Sequence, residues 1–326
     1  MSALARVALL AAFALCASAR AADADPPVAP VAAAAACPPE PAMPTQAEAT
    51  AALRDGVDRG FLWKATKAGR ALYLYGTIHV AQRAWMFPGP HVKHALMASD
   101  TFALELDFTD PDIFNRLRAA TERRPDAPEL PPALQARLRA RMVEACVDPQ
   151  SLAALRPEMQ AVSLEVLEGR QFGLYPAYGI DVVIAGLGRS LDKPIRSLET
   201  PESQAALLVS DDPAETAAAV TQVLDDLDGS KGPAMLQRLA GDWQRGDLGD
   251  LGAYPDWCGC LDTPQQRADY AKLVDERNPL MADKIVQWHA DGRALFVAVG
   301  TLHMIGPAGL PALLRARGFA VERVVY

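Results

Sequence analysis

Two histidines lie in the same four-residue motif at opposite ends of the chain. His79 closes Gly-Thr-Ile-His at residues 76–79, and His303 closes Gly-Thr-Leu-His at residues 300–303. Imidazole is the side chain that most readily exchanges a proton near neutral pH, and it is also the commonest metal ligand in proteins. Two imidazoles brought together from distant parts of a chain could therefore bind a divalent metal ion or share acid–base work.

Three further charged residues could complete such a site. Glu105 follows the apolar run TFAL and Glu199 follows IRSL, so each carboxylate stands just beyond a short predicted strand. A glutamate in that place can serve as a metal ligand or as a general base. Arg277, in DERNPLMADKI, could bind a substrate carboxylate or stabilise an oxyanion. The neighbouring Asn278 has a structural interpretation, as an N-cap with Pro279 at the first helical position.

The elements that must position these residues are strands and helices in a repeated order. Both GTxH motifs end an apolar run typical of a buried strand, and each is followed by a helical pattern and another strand. Residues 89–105 also align with residues 306–322 without a gap, matching Gly-Pro, Ala-Leu, Phe-Ala and a final glutamate. The two ends therefore look like copies of one strand–turn–helix–strand unit. Glu322, the counterpart of Glu105, falls on a terminal strand that we expect at a sheet edge.

If the first strands of the two units lie parallel in one sheet, both histidines emerge at its carboxyl edge. A strand followed by a right-handed crossover leaves the sheet there, and open α/β sheets bind ligands at that edge. Between the units, at about residues 110–290, apolar residues recur at helical spacing. The sequence thus predicts an α/β fold, with a central mostly parallel or mixed sheet built from two βαβ-like halves and a large helical middle region.

The N-terminal end has the composition of an export signal. Arg6 precedes the apolar run VALLAAFALCASA, and small residues follow it, so residues 1–21 are interpreted as a signal peptide. Residues 22–45, rich in Ala and Pro, are interpreted as a linker. The α/β domain is then expected at residues 46–326. These features predict a periplasmic or secreted protein.

The charge of the chain argues against two classes of partner. The chain has 40 acidic and 32 basic residues, and loss of the signal peptide would remove two of the basic ones, leaving a net charge of about −10. An acidic domain with no basic run argues against nucleic acid and anionic membranes as partners. No second long apolar stretch follows the first, so we expect no stable membrane insertion after signal cleavage.

Four cysteines would remain after signal cleavage, namely Cys37, Cys146, Cys258 and Cys260. An even number in an exported protein favours disulfides, and four cysteines allow three pairings. The WCGC stretch is too closely spaced for a zinc knuckle. Cys37 could attach the N-terminal arm to the body of the domain.

Taken together, these motifs resemble the TraB/GumN family, which is grouped with the Tiki proteins, haem-binding ChaN-like proteins and erythromycin esterases. The resemblance rests on the paired GxxH turns, the glutamate strand, GID…KPIRSLET, ERN…MADKI and VGTLHMIGPAGLPALLRARGFAVERV, and it covers roughly residues 55–326. It implies a catalytic centre built from the two histidines and glutamates. Tiki members are described as metal-dependent proteases, and the esterases hydrolyse a lactone with a histidine and a glutamate. Carried over by position, the candidates are His79, Glu105, Glu199, Arg277 and His303.

The leading hypothesis is a periplasmic metal-dependent hydrolase that cleaves a peptide or a small-molecule ester. His79, His303 and one glutamate, Glu105 or Glu199, would bind a divalent ion such as Mn, Co or Zn, and the other glutamate would be the general base. Arg277 would hold the substrate or the oxyanion. In a variant without metal, His79 and Glu105 would activate water directly. The alternatives are a haem- or ligand-binding protein of the ChaN-like type and a non-catalytic envelope or polysaccharide accessory protein.

Overall fold

The computed structural model describes residues 37–125, 127, 129–229 and 231–326. The interpretation of residues 1–21 as a signal peptide, and of residues 22–36 as the first part of a linker, lies outside the described residues. Within the described part, a six-stranded sheet is accompanied by many helices.

The sheet is mixed and mostly parallel. In chain order its strands are β1 Phe61–Lys67, β2 Arg70–Thr77, β3 Thr101–Leu104, β4 Ile195–Ser197, β5 Leu295–Gly300 and β6 Ala320–Val324. Their order across the sheet is β4-β3-β5-β2-β1-β6. Strands β4, β3, β5 and β2 run parallel, whereas β1 pairs antiparallel with β2 and β6. The predicted α/β fold is confirmed, and the four parallel strands end at one edge of the sheet, which we call the rim.

Helices fill most of the chain between β3 and β5, as predicted. The α-helices are α1 Gln46–Arg54, α2 Pro90–Ala98, α3 Pro111–Thr121, α4 Pro132–Glu144, α5 Pro157–Glu168, α6 Ile180–Ser190, α7 Pro201–Ala205, α8 Pro213–Asp228, α9 Lys231–Arg245, α10 Leu248–Gly252, α11 Tyr254–Trp257, α12 Pro264–Tyr270, α13 Asn278–Ala290 and α14 Leu310–Ala316. A π-helical segment, Ala271–Asp275, continues α12, and a 3₁₀ turn, Thr301–Met304, follows β5. Among the described residues, no helix has both the length and the apolar character needed to cross a membrane.

The hairpin of β1 and β2 fixes where the first GTxH motif leaves the sheet. The two strands pair from Phe61 opposite Gly76 down to a two-residue turn at Ala68 and Gly69. Both turn residues have positive φ, of 52° and 72°, which matches the twist of the flanking strands. The short turn therefore sets the register of β2 against β1 and, with it, the point at which residues 76–79 leave the sheet.

The two predicted βαβ-like halves are both present, and they interlock. The first half runs β2–α2–β3 and the second runs β5–α14–β6. Strand β5 of the second half lies between β2 and β3 of the first and pairs parallel with both. Strand β6 lies instead at the far edge beside β1. Glu322, on β6, is therefore exposed at the sheet edge, as expected, while its counterpart Glu105 reaches the rim.

The core is centred on β5, whose six residues are all buried. The ring of Phe296 lies 5.5 Å from that of Phe102 on β3 and 5.8 Å from that of Tyr75 on β2, between ring centroids. Near the rim, Trp243 of α9 donates its indole N–H to the Gly76 carbonyl oxygen at 2.8 Å. A buried tryptophan needs such a partner for its N–H, so this bond joins the helical region to the start of the first GTxH motif.

Residues 37–45 lie against the body of the domain. Tyr175 and Tyr178 donate their hydroxyl hydrogens to the carbonyl oxygens of Pro39 and Ala42, at 2.9 and 3.0 Å. These two bonds satisfy polar tyrosine groups whose rings are buried in the core. The segment just before α1 is therefore held in place by the helical region.

The four described cysteines form two disulfides. Cys37 is bonded to Cys146, just beyond α4, and Cys258 is bonded to Cys260. The expected attachment of the N-terminal arm through Cys37 is thus present. The first bond joins residues 109 apart in the sequence, and the second joins residues two apart.

The two disulfides are expected to differ in their effect on stability. The Cys37→Ser/Cys146→Ser variant should lose about 4 kcal/mol of unfolding free energy, because this bond closes a long loop in the unfolded chain. The Cys258→Ser/Cys260→Ser variant is the matched control and should lose less than about 2 kcal/mol, since its loop is minimal. Urea unfolding followed by circular dichroism measures both. Equal losses in the two variants would contradict this account.

Candidate functional site

The parallel strands deliver the predicted residues to the rim. His79 lies just beyond β2, Glu105 directly follows β3, Glu199 lies just beyond β4, and His303 lies in the 3₁₀ turn after β5. Arg277, immediately before α13, completes the group. All five side chains are at most 10% exposed. The structure therefore brings all five together, and we call them the rim cluster.

One guanidinium joins the two glutamates. Arg277 Nη2 donates to Glu105 Oε2 at 2.7 Å and also to Glu199 Oε2, while Nε donates to Glu199 Oε1 at 2.8 Å. Its Nη1 donates to the carbonyl oxygen of Leu273 at 2.7 Å. Gln204 donates its amide to the same two carboxylates. The side chain expected to hold a substrate or an oxyanion is thus engaged by acceptors of the protein itself.

This ion pairing sets the ionisation of the rim carboxylate. Burial by itself would raise the pKa of Glu105, but Arg277, followed by His303 and His79, lowers that pKa to about 2. Burial by itself would lower the pKa of Arg277, but the two glutamates raise that pKa above its ordinary value. Glu105 is therefore a carboxylate at neutral pH, and a single guanidinium balances two negative groups.

Asp181, in the first turn of α6, orients His79. Its Oδ1 atom lies 3.1 Å from His79 Nδ1. The helix can come this close because residue 179 is glycine: a Cβ on Gly179 would lie 2.6 Å from the carbonyl oxygen of His79. Burial tends to lower the pKa of His79, but the Asp181 carboxylate outweighs burial and the pKa is raised. With a carboxylate at Nδ1, the ring presents Nε2 as the atom that can act on a ligand.

His303 is oriented by an amide rather than by a carboxylate. Its Nδ1 atom lies 2.7 Å from Asn278 Oδ1, and Asn278 Nδ2 donates to the carbonyl oxygen of Ala308 at 2.9 Å. The second bond identifies Oδ1 as the acceptor, so His303 carries its proton on Nδ1 and has a lone pair on Nε2. The interpretation of Asn278 as an N-cap is wrong, because Arg277 occupies the cap position and Asn278 is the first helical residue.

The second glycine of the paired motifs, Gly300, lies where the two imidazoles and Glu105 meet. Its N–H donates to Glu105 Oε1 at 2.7 Å. A Cβ at this position would lie 3.2 Å from that oxygen, 3.5 Å from His303 Cδ2 and 3.8 Å from His79 Nε2. Both rings therefore border the same small space, which only a residue without a side chain leaves open.

A small cavity adjoins this space. His79, Glu105 and Thr77 line it, and its volume is about 10 Å³, roughly what one water molecule requires. Within the part of the chain that the structure describes, several buried atoms at this site have no hydrogen-bond partner. They include both ring nitrogens of His79, both carboxylate oxygens of Asp181, Nε2 of His303 and Oγ1 of Thr77. Buried polar atoms are normally hydrogen-bonded. Besides the close contact between His79 Nδ1 and Asp181, the two Nε2 atoms and Thr77 Oγ1 are therefore available to a bound water or to a substrate.

The residues expected to bind a metal ion fit that role only in part. Across the described ranges, no group of three or more His, Cys, Asp or Glu side chains is placed to hold a metal ion. His79 and His303 each offer a free Nε2 and have Nδ1 held by the protein, as metal-binding histidines usually do. Glu105, the third expected ligand, has its oxygens engaged by a guanidinium and a backbone N–H. Two imidazoles are therefore available as metal ligands, whereas the carboxylate of Glu105 is already bonded within the protein.

Three residues of the site were not predicted: Asp181, Asn278 in its actual role, and Gln204. Asp181 is the one charged residue in the apolar helical segment IDVVIAG. A lone carboxylate in such a segment was the signal that could have been used. Asn278 directly precedes a proline, a pattern typical of an N-cap. That pattern gives no indication that Asn278 contacts His303. Gln204 lies in a short helix with no distinctive pattern, so nothing in the sequence marks it.

Comparison with known proteins identifies the same family that the sequence motifs resemble. The model of the TraB/PrgY/gumN family matches residues 61–323, nearly all of the described chain. The chain is also 29% identical over 262 residues to the uncharacterized protein YbaP of Escherichia coli (strain K12), covering 76% of this chain and 88% of the relative. YbaP of Shigella flexneri gives the same identity and coverage. No solved structure gives a significant match.

The buried His303 is expected to make stability depend on pH. Burial, reinforced by Arg277, lowers the pKa of His303 to about 3, whereas a histidine in an unfolded chain titrates near 6.5. Between these two pKa values the imidazole of His303 is protonated in the unfolded chain but not in the folded one. The contribution of neutral His303 to the free energy of unfolding is therefore complete above about pH 6.5 and is lost as the pH falls. In His303→Gln, the slope of unfolding free energy against pH between about pH 5 and 6.5 should decrease by up to about 1.4 kcal/mol per pH unit.

Urea unfolding at several pH values measures this slope. His94→Gln is the matched control, because His94 is exposed in the folded protein, and it should keep the wild-type slope. A wild-type slope in His303→Gln would show that His303 is not held neutral by the fold.

Proposed function

We propose that this chain, which belongs to the TraB/PrgY/gumN family, is a hydrolase that cleaves an ester or peptide bond at the rim cluster. One observation carries the proposal. His79, whose Nδ1 lies 3.1 Å from an oxygen of Asp181, lines a cavity of one water molecule beside Glu105, and no described residue bonds to its buried Nε2. A general base that activates water needs this arrangement.

In the proposed reaction, His79 Nε2 takes a proton from the water as the water oxygen attacks the carbonyl carbon of the substrate. Asp181 stabilises the imidazolium that forms. The same proton then passes to the leaving alkoxide or amine as its bond to the carbonyl carbon breaks, which returns His79 to its neutral form. Thr77, which lines the cavity and whose hydroxyl has no partner in the described chain, is the proposed donor to the oxyanion.

The other members of the rim cluster have supporting roles in this proposal. His303, with a lone pair on Nε2, accepts a hydrogen bond from the water and fixes its orientation. Glu105, ionised and close to both rings, stabilises the charge that develops on His79. Arg277 and Glu199 are positioning residues, because they hold the Glu105 carboxylate without facing the cavity themselves.

A divalent metal ion remains a second form of the proposal. The two unbonded imidazole nitrogens of His79 and His303 favour it, and such an ion would supply Lewis-acid activation of the water. The engagement of Glu105 by Arg277 disfavours it, because the third ligand would have to leave an ion pair. We therefore derive the reaction from the residues of the chain alone.

The remaining alternatives have less structural support. A cavity of about 10 Å³ beside His79 is far smaller than a porphyrin, so a haem would need a large opening of the rim. The buried and densely bonded cluster of charges is costly to assemble, which is hard to account for in a non-catalytic accessory protein.

We propose that the protein works in the periplasm or outside the cell. Two disulfides support this location, since disulfides persist in oxidising compartments. The signal-like composition of residues 1–21 supports it independently.

His79→Gln is expected to lower kcat/KM by about 10²- to 10⁴-fold, because it removes the general base. The assay is hydrolysis of a panel of p-nitrophenyl esters and fluorogenic peptides. Since Asp181 raises the pKa of His79, the activity of the wild type should rise with pH through a value above 6.5, where His79 loses its proton. Asp181→Asn should move this limb to lower pH and reduce kcat.

His94→Gln is the control and should retain full activity. A panel on which the wild type is no faster than His79→Gln would overturn the proposed function. An unchanged pH limb in Asp181→Asn would overturn the role of Asp181.

Metal content separates the two forms of the proposal. The metal-free form predicts less than about 0.1 equivalent of bound Mn, Co or Zn in purified protein, and activity that survives dialysis against a chelator. Elemental analysis of the wild type and His303→Ala measures the first quantity. Stoichiometric metal in the wild type that disappears in His303→Ala would replace the metal-free form with the metal-dependent one.

A further inference from the structure

A second pocket lies between α1 and the segment that follows the first GTxH motif. Its volume is about 450 Å³, within the range of small-molecule sites. Residues 52–59 form one wall and residues 83–87 form the other, and the pocket shares no lining residue with the cavity at His79. Because the first residue of β1 pairs with Gly76 near the end of β2, the pocket lies toward the edge of the sheet that carries the rim cluster.

Part of the lining is apolar. Ala52, Val57, Ala84 and Phe87 all line the pocket. Val57 is 56% exposed and Phe87 is half-buried, so both present apolar surface to water. A ligand with an apolar body would remove that surface from water, which is favourable.

Arg59 brings a positive charge that no acidic side chain balances. Its side chain lines the pocket and is half-buried. Its one side-chain hydrogen bond within the described ranges runs from Nη1 to the carbonyl oxygen of Val57 at 3.3 Å, and no described carboxylate forms an ion pair with it. Burial lowers the pKa of this guanidinium, against an opposing effect of Tyr75. The group stays charged at neutral pH, so it has lost water without gaining an acid.

Arg83 adds a second guanidinium to the same pocket. Its Nη2 donates to Glu48 Oε2 at 2.9 Å, and the Arg83 side chain has no other hydrogen bond within the described chain. Glu48 Oε2 also accepts hydrogen bonds from the backbone N–H and the hydroxyl of Thr45. Arg83 therefore shares its acid with other donors and keeps further N–H groups of its own.

The acidic residues nearby do not cancel these charges. Asp55 is the one acidic residue among the described residues of the lining, and it is exposed and forms no ion pair with either arginine. Asp58, next to Arg59 in the sequence, accepts hydrogen bonds instead from the backbone N–H groups of His91 and Val92 at the start of α2. Exposed charges are screened by salt, whereas partly buried ones are screened less. The pocket therefore favours an anion.

We infer that this pocket binds the carboxylate of an organic acid, with the carboxylate on Arg59 and the apolar part of the acid against Val57 and Phe87. The planar fork of a guanidinium matches the two oxygens of a carboxylate. A single negative charge suits the pocket better than a phosphate dianion, because Asp55 would repel a second charge. Two sources share this chemistry, a free acid and the C-terminus of a peptide.

The inference does not require the proposed hydrolysis, since it concerns a separate pocket and is measured by binding. The test is isothermal titration of the full chain at neutral pH with 3-phenylpropionate. The neutral counterpart is 3-phenyl-1-propanol, which should bind at least about 10-fold more weakly because it lacks the charged hydrogen bonds. Inorganic phosphate should also bind at least about 10-fold more weakly, since it has no apolar part.

Two variants test the pocket itself. Arg59→Gln should weaken binding of phenylpropionate by at least about 10-fold, because it removes the charge on which the carboxylate lies. Ala84→Trp fills the pocket from an exposed position and keeps both arginines, and it should abolish binding. Circular dichroism shows whether each variant folds.

Two controls separate this result from other effects. Arg293→Gln removes another half-buried arginine that forms no ion pair within the described chain and precedes β5, at the opposite end of the sheet from the rim. It should bind phenylpropionate like the wild type. His79→Gln should also bind it like the wild type, so a failure of the proposed hydrolysis leaves this assay unaffected.

A fourth probe, N-acetyl-glycyl-phenylalanine with a free carboxylate, separates the two sources. Tighter binding of this peptide than of phenylpropionate assigns the pocket to a peptide C-terminus, and weaker or equal binding assigns it to a free acid. Either result supports the carboxylate site. Wild-type affinity in Arg59→Gln or Ala84→Trp, equal binding of phenylpropanol or phosphate, or no binding of either acid would overturn it.

Discussion

The ion pairing of Arg277 with Glu105 and Glu199 is the interaction on which the site depends. Two carboxylates come to one buried edge because parallel strands end there, and their burial would be prohibitive without a cation between them. The guanidinium has the planar fork that can bond both at once. Its own position is fixed by the Leu273 carbonyl oxygen and by the start of α13. Removal of the guanidinium would leave two carboxylates buried without a cation between them.

The same motif supplies two histidines with opposite properties. His79 faces a carboxylate, which raises its pKa, whereas His303 faces an amide and is kept neutral by burial and by Arg277. Identical residues on equivalent strands thus become one group suited to gaining a proton and one suited to accepting a hydrogen bond. The pKa of His79 is raised by Asp181, on a helix outside the repeated units, and no such carboxylate contacts Nδ1 of His303, which Asn278 holds instead.

The convergence of His79, Glu105, Glu199 and His303 could be predicted from the sequence, because apolar runs mark where parallel strands end. The mixed sheet and the helical middle region followed from the same periodicities. The partners of these residues could not be predicted in this way. Asp181 acts through the docking of a helix that Gly179 permits, and the orientation of Arg277 depends on a π-helical segment, neither of which has a local periodicity. Tertiary contacts decide such roles, and one sequence alone does not encode them visibly.

The position of β5 between β2 and β3 has a consequence for synthesis. The central strand of the sheet is made almost last, whereas both of its neighbours are made in the first third of the chain. Until residues 295–300 leave the ribosome, the facing edges of β2 and β3 have no partner, so the sheet cannot close during translation. Pairings so distant in sequence form slowly. A chain built in this order can complete its central sheet only after nearly all of the sequence has been synthesised.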